Sequence, residues 1–70
     1  MTIESIKQAI NTLGQYKEPS AIECNQFTAD FIKKELAKIA NIETDFELIE
    51  FFGLTIKIKN YFPDYIYQIK

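Results

Sequence analysis

The spacing of apolar residues changes period once along this chain, and that change constrains its fold more than any single motif. In the first segment Ile3, Ile6, Ile10 and Leu13 recur at the i, i+3, i+7, i+10 positions of one helical stripe. Thr2 stands where an N-cap is needed and Gly14 where the helix should stop. After the connector from Gln15 to Pro19, Ser20 and Glu23 have the S-x-x-E spacing of a capping box. They predict a second helix reaching about Ala40, with Asn41 as its stop. At about 100° per residue Cys24, Phe27, Phe31, Ile32, Leu36 and Ile39 share a broad apolar arc. Glu23, Asp30, Lys34 and Asn41 lie opposite them.

From Asp45 onward the period is two. Asp45 to Phe52 and Leu54 to Lys59 alternate β-branched or aromatic residues with polar ones, and Gly53 is the turn-former between them. Placing Glu50 opposite Lys57 sets Phe51 against Ile56 and Ile49 against Ile58, a charge pair and an apolar face in one register. Phe62-Pro63-Asp64 marks a second turn, after which Ile58 would meet Tyr67 and Ile56 would meet Ile69. The fold class expected is α+β: two N-terminal helices packed on one face of a C-terminal three-stranded antiparallel meander, in the order α-α-β-β-β. A local alternative exists, because Thr44-x-x-Glu47 is also a capping box and Phe46, Ile49 and Phe52 come near helical spacing. On that reading Asp45 to Phe52 is a short third helix.

Seventy residues make a single small α+β domain over residues 1–70, with a core that must stabilise the fold without a covalent staple. The chain has one Cys, no His and no Trp, and all eight of its basic residues are Lys. The commonest general base, the commonest metal ligand and the guanidinium fork that holds phosphates are therefore missing. No catalysis, no metal and no cofactor are expected. Met1-Thr2-Ile3-Glu4 does not resemble a basic and apolar leader, and no apolar run approaches a membrane span of about 20 residues. A cytoplasmic location without membrane contact is the expectation.

The meander's first face, Ile49, Phe51, Leu54, Ile56, Ile58, Tyr65, Tyr67 and Ile69, reads as core. The second face mixes aromatic, aliphatic and charged side chains, the composition of a surface that is wet alone and covered in a complex. Phe46, Leu48, Glu50, Phe52, Lys57, Lys59 and Tyr61 are its candidate partner-binding residues. The function expected is a small protein-binding module of the inhibitor, adaptor or immunity type, acting on another protein by occlusion through that face. A homodimer using the same face is one alternative. A weak single-stranded nucleic-acid binder is another, suggested by Lys57 and Lys59 beside Tyr61; the net charge of −2 and the absence of Arg argue against it.

Three further features have plainer readings. Cys24, placed in the first turns of the second helix, has no base and belongs to the apolar arc, so it is expected to be a buried inert thiol. Glu43, Asp45, Glu47 and Glu50 concentrate acid without the spacing of a cation loop, and read as a solvated edge. Glu35, on the apolar side, is expected to reach water, or else to be a buried acid awaiting a partner such as Lys38 or a ligand.

Overall fold

A computed structural model describes all 70 residues. The elements are α1 (Ile3–Gly14), β1 (Ala21–Cys24), α2 (Gln26–Ala40), β2 (Glu50–Phe51), β3 (Leu54–Ile58) and β4 (Tyr67–Ile69). The class is α+β, with two helices and a four-stranded mixed sheet of order β2-β3-β1-β4. β1 runs parallel to β3 and antiparallel to β4, while β2 and β3 form a hairpin. The expected three-stranded antiparallel meander is thus corrected: a strand preceding α2 lies in the middle of the sheet and separates β3 from β4.

α1 forms as its stripe predicts. Thr2 and Ser5 cap it reciprocally, Ser5 N–H donating to Thr2 Oγ1 at 3.0 Å and Thr2 N–H to Ser5 Oγ at 3.1 Å. Ile3, Ile6 and Ile10 are buried. Gly14 is the last helical residue rather than a left-handed stop, because Gln15 caps the helix in right-handed geometry at φ −74°. α2 begins five residues later than its expected cap at Ser20 would allow. Asn25 is the N-cap, accepting the Thr28 N–H on Oδ1 at 2.7 Å, and Asn41 ends the helix in left-handed geometry at φ 56°, ψ 49°. Its buried face is Thr28, Ala29, Ile32 and Ala37 rather than the expected arc, and Phe27 and Ile39 are exposed.

The sheet's inner face carries the core. Ile3, Ile6 and Ile10 of α1 and Ile32 of α2 meet Ile22, Phe51 and Leu54, with Leu36, Leu48, Ile56, Tyr67 and Ile69 packed against them. Both helices therefore pack on one face, as expected. In the hairpin Phe51 pairs with Leu54 and Glu50 with Thr55, two residues out from the expected register. A shift of two keeps every side chain on its face, so the apolar set survives while the Glu50–Lys57 pair does not. The loop is reduced to Phe52 and Gly53, both at positive φ (54° and 83°), the signature of a type I′ turn. Residues 45–49 form neither the long strand nor the short helix; only Glu50 and Phe51 of that segment enter the sheet.

Candidate functional site on the outer flank of α2

The sheet's outer face is uncovered and polar. Glu23 faces Lys57 on one side and Gln68 on the other, and Glu50 faces Thr55. Of the candidate partner-binding residues, Glu50 and Lys57 alone belong to that face within the strands. Phe46 is half-buried with Lys33 Nζ 5.5 Å from its ring centre, beside α2, and Leu48 packs against the core. Phe52 lies in the tight turn with Lys7 Nζ of α1 5.6 Å from its ring centre. Lys59 follows β3, its N–H bonded to the Cys24 carbonyl at 2.8 Å, and Tyr61 is an exposed turn residue against Phe62. The expected composite surface therefore does not assemble. Its premise was that alternation ran unbroken from Phe46 to Phe52, whereas the chain enters the sheet at Glu50.

That late entry opens a groove on the inner face. The last backbone bond between the hairpin arms runs from Ile56 N–H to the Ile49 carbonyl at 3.0 Å. Beyond it, β3 continues to Ile58 with no β2 residue beside it. Between this end of β3 and α2 lies a groove of about 200 Å³, with Ile56 and Ile58 along β3 and Ala29 on the helix side. Leu48 and Ile49 also line it, and Asp30, Lys33 and Glu47 bring charge to it. Ile49 is 65% and Ile58 39% exposed, so apolar surface is open to solvent here although the core is adjacent.

Farther along the same side of α2 is an aromatic corner. The Tyr65 ring stands at 87° to Phe27 and 85° to Phe31, with centroids 5.2 and 5.3 Å away. Phe27 and Tyr65 are each 48% exposed. Tyr65 is held at φ 64°, a left-handed conformation costly for a bulky residue, and its N–H donates to the buried Thr28 Oγ1 at 2.9 Å. Asn25 fixes the same loop, donating from Nδ2 to the Phe62 carbonyl at 2.9 Å and to Asp64 Oδ1 at 2.7 Å. The three rings, Asp30 and Lys34 line a hollow of about 260 Å³. Asp30 also lines the groove, which makes the two recesses neighbours across one residue of α2.

The remaining sequence features have structural places. Cys24 is in β1, not in a helix; it is fully buried, and burial pushes its thiol above the usual value. Glu35 pairs with Lys38 at 3.4 Å on the surface. No three carboxylate or thiol groups, the 43–50 acidic run included, come together as a cation site. No helix is long and apolar enough to cross a membrane.

Sequence reasoning missed Phe27, Tyr65, Ile49 and Ile58 as surface features because it assigned all four to the core. The readable signal was Asn25-x-x-Thr28, an alternative cap that moves the helix start and leaves Ala21 to Cys24 free to form a strand. Comparison with protein-family models, with curated proteins and with solved structures finds no match to this chain.

Proposed function

We propose that this chain is a small non-catalytic protein-binding module of the inhibitor, adaptor or immunity type, and that it acts through the outer flank of α2. The observation that carries this reading is the groove beside β3, where Ile49 and Ile58 remain in water while charged Asp30, Lys33 and Glu47 border them. An apolar centre within a polar margin is the pattern of a protein interface, and it fits an apolar side chain presented by a partner. The open sheet face, with Glu23, Glu50, Thr55, Lys57 and Gln68, offers no apolar anchor of this kind.

A photo-crosslinking residue placed at Ile49 and, separately, at Lys57 tests the assignment in cell lysate. Specific adducts from position 49, lost when Ile58→Asp is added, support it. Equal adducts from both positions, or adducts insensitive to Ile58→Asp, overturn it.

A homodimer is the second reading, favoured by the free edge of β4. Lys70 and Ala21 exchange backbone bonds, N–H to carbonyl at 2.8 and 3.2 Å, which turns the N–H and C=O groups of Tyr67 and Ile69 outward. Tyr67-Gln68-Ile69 carries no charge to discourage pairing with a second copy. Sedimentation at micromolar concentration decides it: a dimer converted to monomer by Ile69→Pro, whose N–H makes no bond within the sheet, supports this reading, and a monomeric wild type removes it.

A further inference from the structure

We infer that the hollow between Phe27, Phe31 and Tyr65 is a binding site for an ammonium cation, supplied by a lysine side chain of the partner; the lysine source rests on the protein-binding reading, the cation site does not. Two aromatic side chains beside the helices already carry the chain's own ammonium groups. Lys7 Nζ lies 5.6 Å from the Phe52 ring centre and Lys33 Nζ 5.5 Å from that of Phe46. No ammonium of the chain stands over Phe27, Phe31 or Tyr65.

This third site brings three rings and a carboxylate to one hollow: Tyr65 meets Phe27 and Phe31 edge to face, and Asp30 lines the same recess. Aromatic rings and a carboxylate both attract an ammonium group. Asp30 adds a full negative charge. Its Oδ1 accepts the Gln26 side-chain N–H at 2.9 Å, and Oδ2 makes no hydrogen bond within the chain. The hollow's volume of about 260 Å³ exceeds that of an ammonium head with its methylenes.

Opposing charges are also present. Lys34 lines the hollow, and the N-terminus of α2 contributes roughly half a positive charge that fades within one turn. Cation binding therefore depends on Asp30, and Lys34 weakens it. The corner is rigid before any ligand arrives: Thr28 Oγ1 and Asn25 Nδ2 hold the loop, and Tyr65 is kept at φ 64°. A conformation this unfavourable persists where its surroundings over-determine it, and such positions cluster at ligand clamps. Here it holds a tyrosine ring half in solvent.

The experiment is a ¹H–¹⁵N titration of the intact chain with tetramethylammonium chloride against sodium chloride of equal ionic strength, and in parallel with tert-butanol as the neutral isostere. Saturable shifts at Phe27, Asp30, Phe31 and Tyr65, half-complete in roughly the millimolar to tens-of-millimolar range, are expected for tetramethylammonium alone. Asp30→Asn and Phe27→Leu, both at exposed positions, should each weaken binding at least about fivefold, and Lys34→Gln should strengthen it about twofold. Unchanged amide shifts for Ile6, Ile22 and Ile32 establish that each variant is folded.

Equal response to tert-butanol, or no loss of affinity in Asp30→Asn, overturns the cation site. Nα-acetyl-lysine methylamide, compared with its norleucine counterpart, tests the source: binding by the lysine compound alone supports a partner lysine, and binding by tetramethylammonium without it overturns that assignment. None of these titrations depends on the position-49 crosslink, so either idea can fail without the other.

Discussion

Tyr65 donates its backbone N–H to Thr28 Oγ1 at 2.9 Å, and this bond ties the last loop of the chain to the first turn of α2. Thr28 has no exposed surface. Replacing it with Val keeps the shape and leaves the Tyr65 N–H without a partner, at a cost of about 1 to 3 kcal/mol. The melting temperature should fall by about 4 to 8 °C for each kcal/mol lost. Tyr65 amide exchange should accelerate with it. Thr28→Ser retains the hydroxyl and should preserve slow exchange at Tyr65; equally fast exchange in both variants would show that the bond does not hold the loop.

Asn25 has three partners of different kinds, and only an amide suits all of them. Its Oδ1 caps α2 through the Thr28 N–H, while Nδ2 donates to the Phe62 carbonyl and Asp64 Oδ1. Asn25→Asp keeps the cap but turns a carboxylate oxygen toward Asp64 and a carbonyl. A loss of about 2 kcal/mol or more at pH 7 is expected. Two carboxylates this close raise the pKa of one in the folded state, so the stability it contributes is present at low pH and lost as pH rises through the raised value. The gap from wild type should therefore narrow as pH falls from 6 toward 4 in denaturant titrations. An unchanged gap would place the two side chains apart.

How far the sequence could be read depends on which physical signal each element carries. α1 was legible because four apolar residues repeat with helical spacing and Thr2 precedes them. β1 was not. It is four residues long, it is flanked by strands on both sides, and it runs into α2 through Asn25 alone. Ala21, Ile22 and Cys24 at i, i+1 and i+3 fit a helix as well as a central strand, and Ser20 with Glu23 imitates a capping box.

Between β3 and β4 the error was one of adjacency. Ile56 and Ile69 do lie in one row, and Ile58 and Tyr67 in the next, with Ile22 and Cys24 between them. Alternation determines which face a residue occupies, and an intervening strand preserves that face. It does not determine which strands are neighbours. The candidate site suffered for a related reason: Phe46 and Leu48 were assigned by extending alternation past the point where the chain leaves the sheet.

The hairpin loop places a phenylalanine where asparagine is preferred. Phe52 at φ 54° carries a left-handed penalty of about 1 to 2 kcal/mol, partly offset by its contact with Lys7, which is worth about 0.5 to 1 kcal/mol. Phe52→Asn should stabilise the fold by about 0.5 kcal/mol, and by about 1 kcal/mol when Lys7 has already been replaced by Gln. Gly53→Ala should destabilise it by about 1 kcal/mol or more, and for conformational reasons, since a Cβ there meets nothing within 4 Å. Chemical denaturation of the wild type and the four variants checks the set. A neutral Gly53→Ala would rule out the left-handed turn.

Cys24 makes the stability of the whole fold sensitive to alkaline pH. Burial alone raises its thiol pKa above the ordinary value of 9.0, because no cation or donor favours the thiolate within β1. The folded state therefore holds the proton more tightly than the unfolded chain does. Its contribution is complete below the unfolded value and declines as pH rises toward the folded one, at up to about 1.4 kcal/mol per pH unit. Cys24→Ala lacks this titration and should cost about 1 to 2 kcal/mol near pH 7 through lost packing. The advantage of wild type over the variant should then be constant from pH 6 to 8 and shrink above pH 9, as followed by urea midpoints. An advantage that stays constant to pH 10.5 would mean that the thiol titrates alike in the folded and unfolded chain, and that the site around Ile22 and Cys24 admits water.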